Sequence, residues 1–360
     1  MFRCFFLLFL MTINNIFPFD KISIVLLILI LRPQLKKLNI IVSLIIALLF
    51  ISFFLSYIIN FGNSSLRIFY PLLFFTGAYL LNLRCLNIKT ISYLFLPNII
   101  VGIIGVLYSI LSGFEPNIFA VYAWGKSFLF PICATGFSPT PQVYGTFCIL
   151  YIWVCLEKKN VDLGFLLSII GVLLSQNRTS YVFALFILIM YKKKFFFLIP
   201  IIMLVIYYYS NDWLMELFNN TNLNSREANR HQFEIVYWNS NDFSRLFWGI
   251  GNNEVHPQLL GKTDVSSYYI ENGLDFVLAI SGINGLILSA IIFIHYIMIL
   301  IKKRNFKICF IICFYMVVNQ WMTQEFLASS FFFFMLFVLV LNQNIMYNKT
   351  EGENPLVKSR

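Results

Sequence analysis

Residues 39–60 read NIIVSLIIALLFISFFLSYIIN, and no charged side chain interrupts this apolar run. A helix of about 20 apolar residues is long enough to cross the roughly 30 Å hydrocarbon core of a bilayer. The stretch therefore predicts a membrane-spanning helix, and similar stretches recur on both sides of it along the chain.

The composition of the whole chain agrees with this interpretation. Of the 360 residues, 59% are hydrophobic and only 12% are charged, and 41 are phenylalanine. The mean hydropathy is +0.80. A soluble globular protein has too little interior relative to its surface to bury so much apolar area. The composition thus excludes a water-soluble class and indicates a protein that lies in lipid.

The apolar stretches divide the chain into about twelve candidate spans, so the expected fold class is an all-α, polytopic integral membrane protein. Residues 21–32 and 179–191 are short for a span, which leaves tilted, partly re-entrant and fused segments as alternatives. The full set of stretches is 2–17, 21–32, 39–60, 66–82, 90–112, 141–156, 161–175, 179–191, 195–210, 273–300, 308–322 and 327–346.

The distribution of lysine and arginine predicts the orientation of these spans. With the N-terminus in the cytoplasm, eighteen of the 26 basic residues lie in inner connections or tails, and twelve of the 16 acidic residues lie on the outer side. Such an excess of positive charge is typical of cytoplasmic connections. We therefore expect a multi-pass protein with both termini in the cytoplasm. The same pattern explains the net charge of +10 without a nucleic-acid partner.

The spans and their connections predict four regions. Residues 1–210 are expected to form an N-terminal transmembrane bundle, residues 211–272 a long outer loop with short helices, residues 273–346 the C-terminal transmembrane helices, and residues 347–360 a cytoplasmic tail. A hydrophilic loop of this length is normally functional or disordered. This loop is rich in tryptophan and tyrosine, which is more typical of a folded cap than of a disordered tail.

Polar residues beside the spans mark the candidate functional positions, because polar groups are costly in a membrane. The clearest break is SQNRTS at residues 175–180, which places Arg178 between two apolar runs. One interpretation is an arginine that extends to the membrane surface. The other is a guanidinium that binds phosphate or diphosphate through paired hydrogen bonds. A second polar segment, GFSPTP at residues 136–141, predicts a rigid turn before the next helix.

Several kinds of catalytic centre lack the residue spacing that they require. The histidines and cysteines of the sequence show no metal-ligand pattern. The chain also lacks the phosphate-binding motif of nucleotide hydrolases and the nucleophile motif of α/β-hydrolases. The sequence therefore predicts chemistry that uses neither a metal ion nor a cofactor.

The order of the polar segments resembles the O-antigen polymerase and O-antigen ligase superfamily of bacterial inner-membrane glycosyltransferases. Residues Gly136–Gly145 are similar to the family's glycine–aromatic–proline segment before a middle helix, and Ser175–Thr179 is similar to its Ser-x-x-Arg break. The long loop has the family's order of an arginine, an aromatic patch and Gly-x-Gly, here Arg230 followed by Gly249. Arg226 is a second candidate for that arginine.

A fourth segment distinguishes the two activities of the superfamily. Ligases of the superfamily usually carry His-Asn ahead of a glycine in the following helix, whereas this chain has Glu271-Asn272 ahead of Gly282. A carboxylate thus stands where the ligase histidine is expected. The resemblance therefore favours a polymerase.

The resemblance implies an enzyme of the bacterial inner membrane that polymerises undecaprenyl-diphosphate-linked repeat units into O-antigen or capsular polysaccharide. Its partners would be a lipid-linked glycan donor and acceptor, membrane lipid, a chain-length regulator and a flippase. The leaving diphosphate requires positive charge, and the acceptor hydroxyl requires a base. The candidate catalytic residues are Arg178, Arg230 and Glu271, and the candidate substrate-binding residues are Arg226, Arg245, Asn272 and Gln176.

The sequence is also compatible with roles other than that of a polymerase. An O-antigen ligase would transfer finished polysaccharide to a lipid acceptor, and a flippase would move the lipid-linked oligosaccharide across the membrane. A flippase is expected to have charged residues inside its helix bundle and short outer loops, whereas the predicted spans contain almost no charge and one outer loop is long. A membrane anchor or assembly protein that catalyses no reaction is a third alternative, and it gives Arg178 no role.

Overall fold

The computed structural model of the protein is predominantly helical, which confirms the all-α prediction. Its only sheet within the described residues is a two-stranded hairpin. The structure describes residues 2–13, 20–31, 40–61, 69–80, 88–123, 131–191, 243–250, 272–302, 305–320, 325–326 and 328–352.

The first part of the chain forms a series of short and medium helices with the hairpin after the sixth. Its elements are α1 (Phe2–Thr12), α2 (Asp20–Leu31), α3 (Ile40–Ile59), α4 (Tyr70–Leu80), α5 (Ile88–Tyr93), α6 (Leu96–Leu111), β1 (Ala120–Tyr122) and β2 (Ile132–Ala134).

The second part contains the central helix, a long broken helix and a π-helical segment. Its elements are α7 (Pro141–Glu157), α8 (Leu163–Ser175), α9 (Arg178–Tyr191), α10 (Phe243–Trp248), α11 (Gly273–Lys302), α12 (Phe306–Cys313), the π-helix (Phe314–Asn319) and α13 (Ser329–Gly352).

Two helical segments of the described chain are long and apolar enough to cross a membrane. They are Ile88–Leu111, which joins α5 and α6, and Gly273–Ile291 of α11. Shorter apolar helices, such as Ser43–Ile59 and Leu163–Ser175, coincide with other predicted spans. The number of about twelve spans, the orientation and the placement of both termini stay predictions.

Two predicted regions can be compared with the structure only in part. Of the predicted outer loop, residues 211–272, the described residues are 243–250, which include α10, and Asn272. Helix α13 continues to Gly352, beyond residue 346 where the sequence predicts the last span to end.

Helix α7 lies at the centre of the bundle. Every residue from Val143 to Leu156 is buried, as expected for a helix that is apolar on all sides. Pro141 occupies the first turn, and the Thr140 hydroxyl accepts a hydrogen bond from the Val143 amide at 3.3 Å. Proline at this position and threonine at the cap favour a sharp helix start, so the sequence fixes where the central helix begins.

Aromatic rings join α7 to its neighbours. The ring of Phe95 lies 5.1 Å from those of Phe147 on α7 and Phe333 on α13. Tyr315 of the π-helix stacks on Phe334 with ring centroids 3.8 Å apart. Such pairs add about 0.5–1.5 kcal/mol each beyond burial of their area. The aromatic residues therefore hold α13 and the π-helix against the centre of the bundle.

Helix α3 buries two serines together with Leu49 and Phe53 and exposes other large apolar side chains. Ser52 and Ser56 are at most 2% exposed, whereas Phe54 and Ile58 are 48% and 51% exposed. The Ser52 hydroxyl accepts a hydrogen bond from the Asn284 amide of α11 at 2.9 Å. An exposed face of large apolar residues differs from the polar outer face that a helix on the surface of a water-soluble protein usually has.

Helix α11 is broken at Gly282. This residue has φ 62° and ψ −165°, a combination that is nearly restricted to glycine. A Cβ atom at this position would overlap the Phe247 carbonyl oxygen and lie 2.7 Å from the Gly249 nitrogen. Glycine therefore lets α10 and the turn after it pack directly onto the break.

The carbonyl groups released by the break are paired elsewhere. The Ala279 carbonyl accepts a hydrogen bond of 2.8 Å from the Ile250 amide, and the Ile280 carbonyl accepts one from the Ser56 hydroxyl of α3. Backbone groups that are buried outside a regular helix require such partners. The break is thus supported from two sides.

The predicted rigid turn at residues 136–141 lies between the hairpin and α7. Ala120 pairs with Ala134 in the antiparallel register of β1 and β2. Gly136 has a positive φ of 54°, and the buried Asn98 side chain of α6 binds this turn. It accepts from the Phe137 amide at 2.6 Å and donates to the Ser138 hydroxyl at 2.9 Å.

Candidate functional site

A buried carboxylate, Glu325, lies where α7, the π-helix and α13 meet. Its side chain is 1% exposed. It precedes α13 in the connection after the π-helix, and the Ala328 amide donates a hydrogen bond of 2.8 Å to its carbonyl. A buried carboxylate in a largely apolar bundle is costly unless it is hydrogen-bonded, so its partners decide what it can do.

Four side chains donate hydrogen bonds to the two Glu325 oxygens. Oε1 accepts from the Thr146 hydroxyl of α7 at 2.8 Å and from the Asn319 amide at 3.2 Å. Oε2 accepts from the Ser330 hydroxyl of α13 at 2.8 Å and from the Tyr315 hydroxyl at 3.1 Å. We call these five residues the Glu325 cluster. It joins three separate elements through one carboxylate.

Further polar groups surround the cluster. The Glu325 amide donates to Gln320 Oε1 at 3.2 Å. Among the described residues, Gln320 Nε2 and the Ser329 hydroxyl are buried without a hydrogen-bond partner. The residues beside the Glu325 cluster therefore contain hydrogen-bonding capacity that the described contacts do not use.

Two opposing effects act on the Glu325 carboxyl, which lies outside the apolar helices on either side of it. Burial disfavours the charged form, and the four donors favour it. Burial is the larger effect and raises the pKa of Glu325 above its ordinary value, while the hydrogen bonds from Ser330, Thr146, Asn319 and Tyr315 counteract part of the rise.

The start of α11 packs beside this cluster. A Cβ atom at Gly273 would lie 2.7 Å from Gln320 Oε1 and 2.9 Å from the Phe326 ring. The preceding residue, Asn272, is 1% exposed and caps the helix. Its Oδ1 accepts from the Leu274 amide at 2.8 Å. The predicted substrate-binding residue Asn272 is thus adjacent to the segment that holds Glu325.

The polar break at residues 175–180 packs on a neighbouring face of α7. A Cβ atom at Gly145 would overlap the Ser180 hydroxyl and lie 3.2 Å from that of Ser175. Gly145 directly precedes Thr146 in the sequence. One turn of α7 therefore contacts the SQNRTS segment through Gly145 and the Glu325 cluster through Thr146.

The residues within the polar break have different environments. Gln176 is 2% exposed and has a left-handed backbone with φ 48°. Its Nε2 donates to the Ile132 carbonyl of β2 at 2.6 Å, which ties the hairpin to the end of α8. Asn177 caps α9 by accepting from the Thr179 amide at 3.0 Å. Arg178, the first residue of α9, is exposed.

The predicted site residues that the structure describes lie in two places. Gln176, Arg178 and Asn272 lie on the segments around this end of α7. Arg245 is exposed on α10, which packs around the break at Gly282 instead. Arg226, Arg230 and Glu271 lie outside the described residues, so their roles stay predictions.

Glu325 was not among the predicted site residues, although the sequence contains a signal for it. It is a carboxylate between two apolar stretches, 308–322 and 327–346. An ionisable residue in such a context is a candidate functional residue. The sequence does not show which residues bind Glu325, because Thr146 lies far away along the chain.

Comparison with protein-family models, with curated proteins and with solved structures finds no match for this chain. Within the described residues, no group of three or more His, Cys, Asp or Glu side chains is arranged to hold a metal ion. The chemistry available at this end of α7 is that of an exposed guanidinium, amide groups, hydroxyl groups and a buried carboxyl.

Proposed function

We propose that this chain is a polytopic inner-membrane glycosyltransferase that polymerises undecaprenyl-diphosphate-linked oligosaccharide repeat units. The product would be O-antigen or capsular polysaccharide, made at the outer face of a bacterial inner membrane. The membrane part of the proposal is supported by α3, whose serines face the bundle while Phe54 and Ile58 face outward. Apolar side chains on the outside suit lipid, and inward hydroxyl groups suit helix–helix contacts in lipid.

The observation that carries the proposal is the meeting of separate polar segments at one end of α7. Gly145 contacts Ser175 and Ser180, and Thr146 binds Glu325. Gly273, at the start of α11, contacts the same region through Gln320. Segments that resemble the glycosyltransferase superfamily thus lie around a common site, as a reaction between two lipid-linked substrates requires.

The proposed reaction is a substitution at the anomeric carbon of the growing glycan. The acceptor hydroxyl oxygen forms the new glycosidic bond, and the bond to the lipid diphosphate breaks with its electron pair on the diphosphate. Arg178 and Arg230 would stabilise the charge that develops there, assisted by Arg226 or Arg245. Glu271 would accept the proton of the hydroxyl. Guanidinium groups can neutralise the diphosphate, so no metal ion is needed.

The proposed substrate-binding residues Gln176 and Asn272 would orient the reacting groups and would not take part in bond formation. Gln176 fixes the hairpin beside Arg178 through its bond to Ile132. Asn272 caps the helix that follows Glu271 in sequence. Fixed supports of this kind keep reacting groups aligned, which is a large part of enzymatic rate enhancement.

The experiment that tests the function is analysis of lipid-linked glycans in a strain that lacks the gene. A polymerase predicts that single repeat units accumulate on undecaprenyl diphosphate at the outer face. Polymer that remains on the lipid carrier would instead identify a ligase. Repeat units confined to the cytoplasmic face would identify a flippase.

A flippase is the second candidate, and two observations favour it. Glu325 is a buried ionisable group inside the helix bundle, and α11 is broken at Gly282. Broken helices and buried carboxylates are common in transporters. The exposed Arg178 beside the same site is the feature that a diphosphate-handling enzyme explains better.

A further inference from the structure

We propose that Glu325 is a proton-binding site whose carboxyl takes up and releases a proton while the four side chains around it stay in place. The proposal does not depend on the glycan chemistry. It applies to a polymerase and to a flippase alike.

The isolation of Glu325 from positive charge is the first support. No lysine, arginine or histidine of the described chain contacts its oxygens, all of whose partners are hydroxyl or amide groups. A buried carboxylate without a cation pays a desolvation penalty that proton binding removes. With 1% of its side chain exposed, water contributes little to stabilising the charge.

The chemistry of its partners is the second support. Thr146, Tyr315 and Ser330 are hydroxyl residues, and a hydroxyl group both donates and accepts by rotating its hydrogen. When Glu325 is ionised, all three donate to it. When it is protonated, one of them accepts from the acid hydrogen. The Asn319 Nδ2 group can only donate and is paired with Oε1, so we assign the proton to Oε2, whose two partners are hydroxyl groups.

The other titratable groups on the surrounding elements do not take over the role of Glu325 as the proton-binding group. Those toward this end of the elements include Tyr315 on the π-helix, Tyr144 and Cys148 on α7, Asp275 in the first turn of α11, and the exposed Arg178 at the start of α9. Among them, only Tyr315 hydrogen-bonds Glu325 in the described structure. A phenol has an ordinary pKa of about 10 and carries no charge near neutral pH. Proton binding therefore changes the charge of the cluster by the whole charge of Glu325.

The consequence of proton binding is a change of charge where three helical elements meet. Thr146, Asn319 and Ser330 belong to α7, the π-helix and α13. π-Helical turns are frequent at functional sites. Two charge states at this junction give the bundle two arrangements of hydrogen bonds, which a reaction cycle with lipid-linked substrates can use.

Infrared titration of the purified full-length protein tests the proposal, because the C=O stretch of a protonated carboxyl is visible even where reagents cannot reach. Wild type is compared with Glu325→Gln and with Glu115→Gln, which removes an exposed carboxyl. We expect Glu325→Gln to remove a titrating signal that Glu115→Gln retains. A protonated-carboxyl spectrum that is the same in wild type and Glu325→Gln at every pH would overturn the proposal.

A second comparison does not require Glu325→Gln to fold. Thr146→Val removes one donor to the charged carboxyl, and Thr76→Val removes a hydroxyl that donates to the Leu72 carbonyl on α4. We expect Thr146→Val to shift the midpoint of the highest-titrating carboxyl upward by about one pH unit, because a lost bond to a charged group favours the neutral form. Thr76→Val should leave the midpoint unchanged. An unchanged or lowered midpoint in Thr146→Val contradicts the proposal.

Discussion

The hydroxyl of Thr146 donates a hydrogen bond of 2.8 Å to the carboxylate of Glu325, 179 positions further along the chain. This bond joins the central helix α7 to the connection before α13. The long hydrophilic stretch of the sequence lies between the two residues. The contact therefore brings together the two apolar parts of the chain at the end of α7 that also contacts residues 175–180.

The first prediction concerns stability at this contact. Glu325→Ala leaves four buried donors without their acceptor, and we expect it to lower the free energy of unfolding by about 3 kcal/mol. Glu325→Gln retains one oxygen and offers an amide to the hydroxyl groups, so its cost should be about 1 kcal/mol. Thermal unfolding of the purified protein in detergent measures the order of the two variants.

The control for this prediction is Glu115→Ala. Glu115 is exposed, and its contact is a bond of 3.4 Å from the Tyr122 hydroxyl. We expect its unfolding midpoint to match wild type. A Glu325→Ala protein that unfolds at the same temperature as Glu115→Ala would show that the cluster does not stabilise the bundle.

The second prediction separates backbone strain from a clash at the break of α11. Gly282→Ala places a methyl group against the Phe247 carbonyl in addition to straining a positive φ. Gly113→Ala strains a similar φ of 79°, but no atom lies within 4 Å of the added carbon. Strain alone costs about 1–3 kcal/mol. We therefore expect Gly282→Ala to be the more destabilising of the two by at least about 2 kcal/mol.

The measurement for this pair is the difference between their unfolding midpoints in the same detergent. If the two variants are equally stable, α10 does not pack on the break as the structure has it. Greater stability of the Gly282→Ala protein leads to the same conclusion.

The helices within the apolar runs, such as α3 and α7, were predictable from the sequence because each depends on a local pattern. The apolar run at residues 39–60 contains α3, and Thr140 with Pro141 marks the start of α7 at the residue where the structure has it. These signals are contained in neighbouring residues. A pattern within one segment is enough for a helix and for its first turn.

The Glu325 cluster and the break at Gly282 were not predictable in the same way. The partners of Glu325 come from three elements, and nothing near residue 325 in the sequence specifies Thr146. The conformation of Gly282 depends on the carbonyl of Phe247, which another helix supplies. Glycine in an apolar run is compatible with a continuous helix as well as with a broken one. Both features arise from tertiary packing.

The third prediction tests whether Asn272 does more than cap α11. Its Oδ1 serves the cap, while its Nδ2 makes no hydrogen bond to a described residue. Asn272→Ser keeps an uncharged acceptor for the cap and removes the amide donor, so we expect stability close to wild type with reduced polymer formation. Asn272→Ala should lose about 1 kcal/mol of stability as well. Unfolding midpoints and polymer length on gels measure the two effects separately.

The matched control exchanges one capping side chain for another at a different helix start. The Asp162 side chain caps α8 by accepting from the Phe165 amide at 2.9 Å, and Asp162→Asn should change neither stability nor polymer. Wild-type polymer in the Asn272→Ser protein would restrict Asn272 to a structural role.

The fourth prediction addresses the chemistry proposed for Arg178. The side chain is exposed at the first residue of α9, so Arg178→Ala should leave the amount of inserted protein unchanged. Loss of one group that stabilises developing charge lowers a rate by about 10²–10³-fold. We therefore expect the ladder of polymer lengths to collapse to single repeat units, and the same collapse in Arg230→Ala and Glu271→Gln.

Arg178→Lys distinguishes a bidentate role from a general effect of charge. Lysine keeps the positive charge but cannot contact a phosphate through two parallel hydrogen bonds, so we expect an intermediate ladder. Lys158→Ala, which removes an exposed charge after the last residue of α7, should leave the ladder at full length. Complementation of the deletion strain with each variant, at matched protein levels, measures all three. A full-length ladder in Arg178→Ala would remove Arg178 from the catalytic site and leave the arginines of residues 211–272 as the groups that neutralise the diphosphate.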